Sequence, residues 1–479
     1  MTEFSIPSLV VRILSTLTDS GFQAYVVGGA IRDLLQHKEV YDWDFTTDAI
    51  PDELLKLFRE SFYDNTFGTV RVSGKHLALQ FNQPALGWEA AVFDLTTFRT
   101  EHGYSDRRRP DRVIWGKNLE EDLSRRDFTI NAMALKSHSK ESLTRAMKIA
   151  RLYPSVFLDS EIIDPFYGQA DLSRKLIRAV GDPDMRFNED ALRMMRAIRI
   201  GAQLSFTIEE KTLTAIQRNA NLISHISWER IRDELLKLLA SDYPADGVML
   251  LSSSGLLANI IPELFESQGI PQAGHHIYDV WTHAIESLRG CPSSDPIVRL
   301  ATLLHDIGKP RTFQNTQGKI TFYNHELAST RIAQTIAQRL RLSNHQTEKL
   351  VTLVRWHMFA YDPAMTDAAI RRFIRRVGIE NINDMMLLRV GDRKGGGSRA
   401  TSWRLQELQR RVGEQLYEPL TVRDLKVDGH DVMEVLGIEP GPKVGSILNQ
   451  LFEEIMEDTH KNKREYLLER IRELGGSKR

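Results

Sequence analysis

The sequence predicts an α+β protein: a mixed sheet covered by helices at the N-terminus, followed by an all-α remainder. Three observations predict it. Through residue 137, strand-like apolar runs (AYVV, GTVRV, AAVFDLTTF) alternate with amphipathic segments, the pattern of a sheet with helices on it. From Asp171 onward almost every segment carries helical periodicity, with caps and short connections. At 479 residues the chain is also too long for one core, so about three to four domains of roughly 100–200 residues are expected.

The elements follow in order. An amphipathic helix from Leu9 to Leu17 leads into the strand AYVVGG, then the helix IRDLLQ and the short strand YDWDFTT. A helix near Asp52–Phe58 precedes the strands GTVRV and AAVFDLTTF, and RRDFTINAMAL ends the block. Ser252–Gly255 and the Gly395–Gly397 run in DRKGGGSR read as hinges or loops.

Composition excludes several classes. Lys and Arg number 63 against 64 Asp and Glu, a net charge of −1, so this is no uniformly basic nucleic-acid coat; any polyanion site must come from local clusters. Hydrophobic residues at 42% and charged residues at 27% describe an ordinary globular chain. No apolar run approaches the roughly 20 residues of a membrane span, and the N-terminus lacks the pattern of a secretory signal. The single cysteine, Cys291, fits a reducing cytoplasm and excludes Cys-based zinc sites. A metal here must be held by His and carboxylates.

Tyr41-Asp42-Trp43-Asp44-Phe45 alternates acids with aromatics. In a strand, residues two apart share a face, so Asp42 and Asp44 converge while Trp43 and Phe45 pack behind them. Two carboxylates forced together repel unless one is protonated or a cation intervenes. A hard divalent ion such as Mg²⁺ removes the conflict and suits a phosphate-bearing substrate. Asp94, in AVFDLTTF, offers a third acid. Upstream, Gly28 and Gly29 end a strand just before a helix, where backbone N–H groups favour phosphate and Arg32 adds a charged fork.

Taken together, VVGGAIRDLLQHKEVYDWDFTTDAIPDEL, FDLTTFRTEHGYSDRRRPDRV, LSRRDFTINAMAL and EDALRMMRAIR resemble the class II tRNA nucleotidyltransferases, a family that includes CCA-adding enzymes and bacterial poly(A) polymerases. The resemblance covers about the first 260 residues, in the family's order. It implies a nucleotidyltransferase palm in which Asp42 and Asp44 hold Mg²⁺ and Asp94 is the third catalytic carboxylate. It implies triphosphate contacts from Gly28, Gly29 and Arg32, and a ribose-side element of Arg125, Arg126, Asp127 and Asn131. The implied substrates are tRNA, CTP and ATP.

Glu189-Asp190-Ala191-Leu192-Arg193 lies in a strongly helical stretch, with Asn188 as the expected cap. At spacings of three and four, Asp190 and Glu189 share a face with Arg193. A guanidinium and a carboxylate can match the pairing edge of a base, a contact that discriminates by about 1–3 kcal/mol. The resemblance makes this the nucleotide-selecting template, with Asp190 and Arg193 reading the base and Glu189 orienting the arginine. Arg196 and Arg199 extend the same ladder toward nucleotide or RNA phosphate. The polar loop Arg99–Arg112 matches a segment linked to switching from C to A addition. Two departures from the family stand out: the longer connection over 138–160, and Tyr167 where a glycine is usual.

The middle of the chain supplies His283, His305-Asp306 within LHDIGK, His325, His357 and Asp392, a mixed N/O ligand set suited to transition metals or Mg²⁺. The pattern resembles an HD-superfamily phosphohydrolase domain. That resemblance implies His283, His305, Asp306 and Asp392 as principal ligands of Ni²⁺ or Mn²⁺, and His325 and His357 as auxiliary ligands or phosphate contacts. Near the end, GPKVGSIL reads as a helix start that could take an RNA phosphate; it resembles the C-terminal module of HD-containing relatives.

The sequence therefore reads as a cytoplasmic nucleotidyltransferase of four blocks: a palm (1–160), a nucleotide-selecting and RNA-binding neck and body (161–265), an HD phosphohydrolase-like block (266–395) and a helical tRNA-contacting module (396–479). It would add CMP and AMP to the tRNA 3′ end. The nearest alternative is an A-adding enzyme or poly(A) polymerase, although FGTVRV after the palm helix leans toward the CCA type. A phosphohydrolase with a noncatalytic RNA-binding palm is the alternative from another class. A wholly noncatalytic RNA-binding protein would leave both constellations without purpose.

Overall fold

The computed structural model describes residues 2–64, 68–82, 87–102, 112–116, 118–272, 278–317 and 319–476. These form two compact units, one of residues 1–238 with 249–260 and the other of 239–248 with 261–479.

The first unit opens with the strands β1 (Thr2–Pro7), β2 (Ala24–Val27), β3 (Asp44–Thr47), β4 (Phe62–Asp64), β5 (Thr69–Ser73), β6 (Val92–Thr97), β7 (Arg99–His102), β8 (Arg112–Trp115), β9 (Ala134–Ser137) and β10 (Ser155–Ile163). Eight of them make one mixed sheet in the order β1-β10-β9-β2-β3-β6-β5-β4, while β7 and β8 pair as a separate hairpin. β3 runs parallel to β6 and antiparallel to β2, with Asp44 in register with Asp94 on one side and Val27 on the other. Alternation along the strands buries Phe45, Phe93, Leu95 and Val26 against the helix Ser8–Asp19, whose Leu9, Val10, Ile13 and Leu17 are also buried.

The stretch over 138–160, expected as a lengthened connection, is part of this sheet. The helix Lys140–Ile149 is capped by Ser139, and β10 then pairs with β1 at one edge and with β9 inside it. The polar loop expected over Arg99–Arg112 survives as the ends of the β7–β8 hairpin; residues 103–111 lie outside the described residues.

Beyond these strands the first unit is helical, including Pro183–Glu189, Leu192–Leu204, Glu210–Asn219 and Trp228–Leu239, apart from the short parallel pair Leu176–Ile177 and Thr207–Ile208. The second unit is helical apart from the two-stranded pair Gln314–Thr316 and Lys319–Thr321. One group of its helices comprises Val280–Gly290, Pro296–Leu304, His325–Arg339, Asn344–Trp356 and Ile382–Gly395. A separate core of Val432, Ile447, Leu451, Phe452, Leu467 and Ile471 organises the C-terminal helices. There the GPKVGSIL segment starts the helix Pro442–Glu457, with Pro442 at its first turn.

Two expected hinges resolve differently. Ser252–Gly255 is a turn at the end of the helix Pro244–Ser253, with Gly255 at φ +81°. Gly395 is not in a loop: it ends the helix Ile382–Gly395, and a Cβ there would lie 2.0 Å from Ser287 Oγ. A glycine run that reads as flexible is, at its first residue, a close helix contact.

Candidate active site and candidate metal centre

The acidic cluster forms at the end of the sheet where β3 begins. The strand starts at Asp44, so Asp42 precedes it and is exposed, a correction to the strand expected across YDWDF. Trp43 and Phe45 are buried behind the acids, as alternation requires. Asp44 and Asp94 sit side by side on parallel strands. Burial, reinforced by the Asp42 and Asp94 carboxylates and opposed by Arg126, pushes the Asp44 carboxyl up to about 6. Burial likewise raises Asp94, against the pull of Arg71, whose Nε donates to Asp94 Oδ1 at 3.3 Å from the neighbouring strand. Hard oxygen donors that crowd one another's charge fit a divalent cation such as Mg²⁺.

The glycines frame this cluster. Gly28 has φ +80°, and a Cβ on it would lie 3.2 Å from Asp44 Oδ2 and 3.3 Å from Arg126 Nη1, so only glycine leaves that corner open. Gly29 starts the helix Gly29–Leu35, and the Arg32 guanidinium folds back beside it. Arg32 is not free: Nε and Nη2 donate to Asp33, each at 2.9 Å, and Nη1 donates to Asn131 Oδ1 at 3.1 Å.

From Asn131 a polar chain runs into the helical neck. Asn131 Nδ2 donates to Asp127 Oδ1 at 3.3 Å, and Arg196 closes on Asp127 Oδ2 through Nε at 2.9 Å and Nη2 at 2.7 Å. Burial opposes ionisation of Asp127, but Arg196 and then Arg193 prevail and hold it at about 2. The RRDFTIN element thus joins the glycine corner to the helix Leu192–Leu204.

Arg193 Nη1 donates to Glu189 Oε2 at 2.5 Å, and Nη2 to the Arg125 carbonyl at 3.0 Å. The rest of the E-D-x-x-R geometry differs from the expectation. The helix ends at Glu189, Asp190 is extended, and a new helix begins at Leu192, so Asp190 and Arg193 do not share an unbroken helical face. Asp190 instead accepts from the Leu192 amide at 3.1 Å and from both terminal nitrogens of Arg230, at 3.2 and 2.6 Å. Asn188 is inside a helix whose cap is Asp182, because the Asp182 carboxylate reaches the Met185 amide. Arg199 pairs with Glu234 at 2.6 Å.

Sequence reasoning missed Asp122. It is wholly buried, receives Arg125 through Nε and Nη2, lies 3.6 Å from Arg126 and accepts from Thr46 Oγ1 at 3.2 Å. It thereby fixes both arginines against β3. Arg71 and Arg230 were missed as well; each faces its carboxylate from an element with no motif of its own. Tyr167 takes the left-handed conformation at φ +61°, which explains why glycine is favoured there. The following Gly168 is packed so that a Cβ would meet the Thr129 carbonyl at 2.3 Å.

In the second unit, five elements converge on one point. His283 comes from the helix Val280–Gly290, His305 and Asp306 from the turn just past Pro296–Leu304, His325 from the start of His325–Arg339, His357 from the end of Asn344–Trp356, and Asp392 from Ile382–Gly395. His283, His305, Asp306, His325 and His357 are buried. His283 Nε2 lies 3.2 Å from His305 Nε2, 3.4 Å from Asp306 Oδ2 and 3.2 Å from Asp392 Oδ1. Burial works against a charge on His305, yet Asp306 and Asp392 raise it to about 10 and are themselves held well below the usual carboxylate range. The cluster demands positive charge, which a divalent ion would supply. Lys309, also missed, sits 2.6 Å from Asp306 Oδ2.

Asp392 reaches the cluster because of two glycines. A Cβ at Gly391 would meet the Ser287 carbonyl at 2.7 Å, and one at Gly395 would meet Ser287 Oγ, so Ile382–Gly395 packs directly on Val280–Gly290. A cavity of about 810 Å³ opens over the cluster, with Lys309, Arg389, Arg393, Phe322, Tyr323 and Met358 in its lining.

Fold and acidic site define a nucleotidyltransferase palm joined to a helical neck. The comparisons agree: residues 24–178 match the model of the poly(A) polymerase head domain, 205–267 that of the RNA and SrmB-binding site of polymerase A, and 311–471 that of tRNA nucleotidyltransferase domain 2. The chain is 33% identical over 447 residues to the A-adding tRNA nucleotidyltransferase of Deinococcus radiodurans, covering 90% of this chain and 91% of that one. It is 32% identical over 441 residues to the CCA-adding enzyme of Levilactobacillus brevis, covering 92% and 91%. The crystal structure of the Bacillus stearothermophilus CCA-adding enzyme in complex with CTP superposes with a TM-score of 0.67 at 27% identity, over 97% of each chain. The chain belongs to the class II tRNA nucleotidyltransferase family. No described helix is long and apolar enough to cross a membrane.

Proposed function

We propose that this chain adds CMP and AMP, from CTP and ATP, to the 3′ end of tRNA. The observation that carries the reading is the unbroken chain Arg32–Asn131–Asp127–Arg196, which ties the glycine corner beside Asp44 to the helix bearing Arg193. Asp42, Asp44 and Asp94 would hold Mg²⁺, which when bound neutralises phosphate charge and activates the attacking 3′-hydroxyl. Gly28, Gly29 and Arg32 border the space for the triphosphate, and Glu189 presents Arg193 to the base. In this reading residues 1–160 carry transfer, 161–265 selection and RNA binding, and 396–479 tRNA contact. The test supplies tRNAs ending before C, after one C and after CC with CTP or ATP separately. Extension of all three in turn is expected.

An A-adding enzyme is the second reading, favoured by the Deinococcus relative that matches over nearly the whole chain. Extension of the CC-ended tRNA alone would select it.

The His/Asp cluster supports a metal-dependent phosphohydrolase centre in the block 266–395, with His283, His305, Asp306 and Asp392 holding Ni²⁺ or Mn²⁺ and phosphate at RNA ends as substrate. The cations Lys309, Arg389 and Arg393 around its cavity suit an anionic substrate. Assay with Ni²⁺ or Mn²⁺ on terminal and cyclic phosphates is the check, with turnover expected.

A further inference from the structure

Neighbouring strands set a row of side chains across one face of the sheet. In the order β2-β3-β6-β5-β4, Val27 is in register with Asp44, Asp44 with Asp94, Asp94 with Arg71, and Arg71 with Phe62. Residues in register share a face, so Asp44, Asp94, Arg71 and Phe62 stand side by side, about 4.8 Å from strand to strand. Their neighbours along the strands, Phe45, Phe93, Leu95, Val70 and Val72, are buried on the other face. The glycine corner lies at one end of the row, where a Cβ on Gly28 would be 3.2 Å from Asp44 Oδ2. Arg71 and Phe62 occupy the other end.

Nucleotidyl transfer needs both ends. The RNA 3′-oxygen bonds to the α-phosphorus as the bond to the pyrophosphate oxygen breaks. Pyrophosphate leaves with that electron pair, and the hydroxyl proton passes to water. Attacking and leaving oxygens stand in line on opposite sides of the phosphorus. The leaving pyrophosphate belongs in the space bordered by Gly28, Gly29 and Arg32. The RNA end must therefore enter from the side of Asp94, and one strand further it meets Arg71.

Arg71 suits a phosphate. Its Nε donates to Asp94 Oδ1 at 3.3 Å, which fixes the guanidinium and leaves Oδ2 to the reacting groups. Nη1 is 3.7 Å from Asp64 Oδ2, beyond a hydrogen bond, and the side chain is 45% exposed. The terminal nitrogens thus keep donors for a phosphate oxygen. Phe62, beside it on the edge strand β4, is 67% exposed and offers a ring on which a base can stack. Single-stranded RNA is held by just such aromatic and arginine groups together.

We propose that Arg71 and Phe62 hold the 3′-terminal nucleotide of the RNA, Arg71 through its phosphate and Phe62 through its base. The inference rests on the nucleotide-addition reading and gives it an RNA-side contact, opposite the residues that border the triphosphate.

The test uses the full-length protein with ATP and a tRNA ending in CC. Arg71→Ala should raise KM for tRNA roughly tenfold and leave KM for ATP unchanged. Anisotropy titrations of the labelled tRNA over a salt series, without ATP, should give weaker binding and a log–log slope shallower by about 0.7. Arg71→Lys, which keeps the charge, should restore the slope but not the full affinity. A tRNA with a neutral methylphosphonate at its last internucleotide linkage should bind wild type as weakly as normal tRNA binds Arg71→Ala, and should lose nothing more with that variant. Phe62→Ala should weaken binding roughly 5- to 150-fold without changing the slope, and Phe62→Trp should restore it. A fall in kcat alone, a rise in KM for ATP, or additive losses from variant and methylphosphonate overturns the Arg71 contact. Unaltered affinity in Phe62→Ala overturns the base contact. No extension by wild type overturns the nucleotide-addition reading itself. Circular dichroism checks folding; should Arg71→Ala fail to fold, Arg71→Gln replaces it in every comparison.

Discussion

Asp122 grips Arg125 with a single carboxylate oxygen: Nε and Nη2 of the guanidinium both donate to Oδ1, at 3.0 and 2.6 Å. The acid is wholly buried beneath β3, and Arg126 lies against its other oxygen. Losing one partner of a buried ionic group leaves the other charges uncompensated, at a cost of about 3–5 kcal/mol. Asp122→Ala should therefore destabilise the chain by an amount in that range and impair nucleotide transfer. Asp122→Asn, which keeps an acceptor, should lose less. Chemical unfolding read by fluorescence measures both; equal stability of all three proteins would refute the role.

Arg193 is presented by Glu189 and by the Arg125 carbonyl. Arg193→Ala should shrink the preference for C and A over U and G by about 1–3 kcal/mol, or roughly 5- to 150-fold in relative kcat/KM. Competition assays with the four triphosphates check this. Glu189→Gln should move selectivity in the same direction by less, since Arg193 keeps its hydrogen bonds to the Arg125 carbonyl at 3.0 Å and the Arg186 carbonyl at 3.2 Å.

Asp127 supplies the pH dependence. Its folded value of about 2 lies below the ordinary carboxylate value, so its contribution is fully present above about 4 and is lost as pH falls toward 2. A depression of this size corresponds to about 2 kcal/mol. The stability difference between wild type and Asp127→Asn should thus be constant near neutrality and narrow between about pH 4 and pH 2. Urea unfolding across that window measures it. A gap independent of pH would mean that the ion pair with Arg196 contributes nothing through charge.

On the proposed phosphohydrolase reading, Asp306→Ala should lower Ni²⁺- or Mn²⁺-dependent phosphate release by about 10²-fold or more, because it removes the carboxylate facing both histidine pairs. Nucleotide addition should be retained, since the palm residues belong to the other unit. Parallel assays on one preparation separate the two activities.

Much of the site was legible because its residues are close in sequence or carry a motif. Asp42, Asp44, Gly28 and Gly29 fall within 17 residues, and the His/Asp cluster announces itself through His305 and Asp306 of HDIGK. What escaped depends on contacts across long separations. Asp122 is an ordinary acid on a short helix until Thr46 and Arg125 are brought to it. β10 reads as an insertion because its partner β1 lies some 150 residues upstream, where no local pattern reveals pairing. Asp190 fits a helical spacing by count alone; the helix breaks there, and its carboxylate accepts from the Leu192 amide and pairs with Arg230 instead.

Gly391 and Gly395 have one more implication. Neither carries a donor atom, yet both determine how near Asp392 can come to His283, because a single methyl group at either position would wedge the two helices apart. If the cluster holds an ion, affinity for it would be governed by backbone closeness at Gly391, next to Asp392, and at Gly395, about one turn on, and an alanine scan confined to charged side chains would overlook the residues that set it.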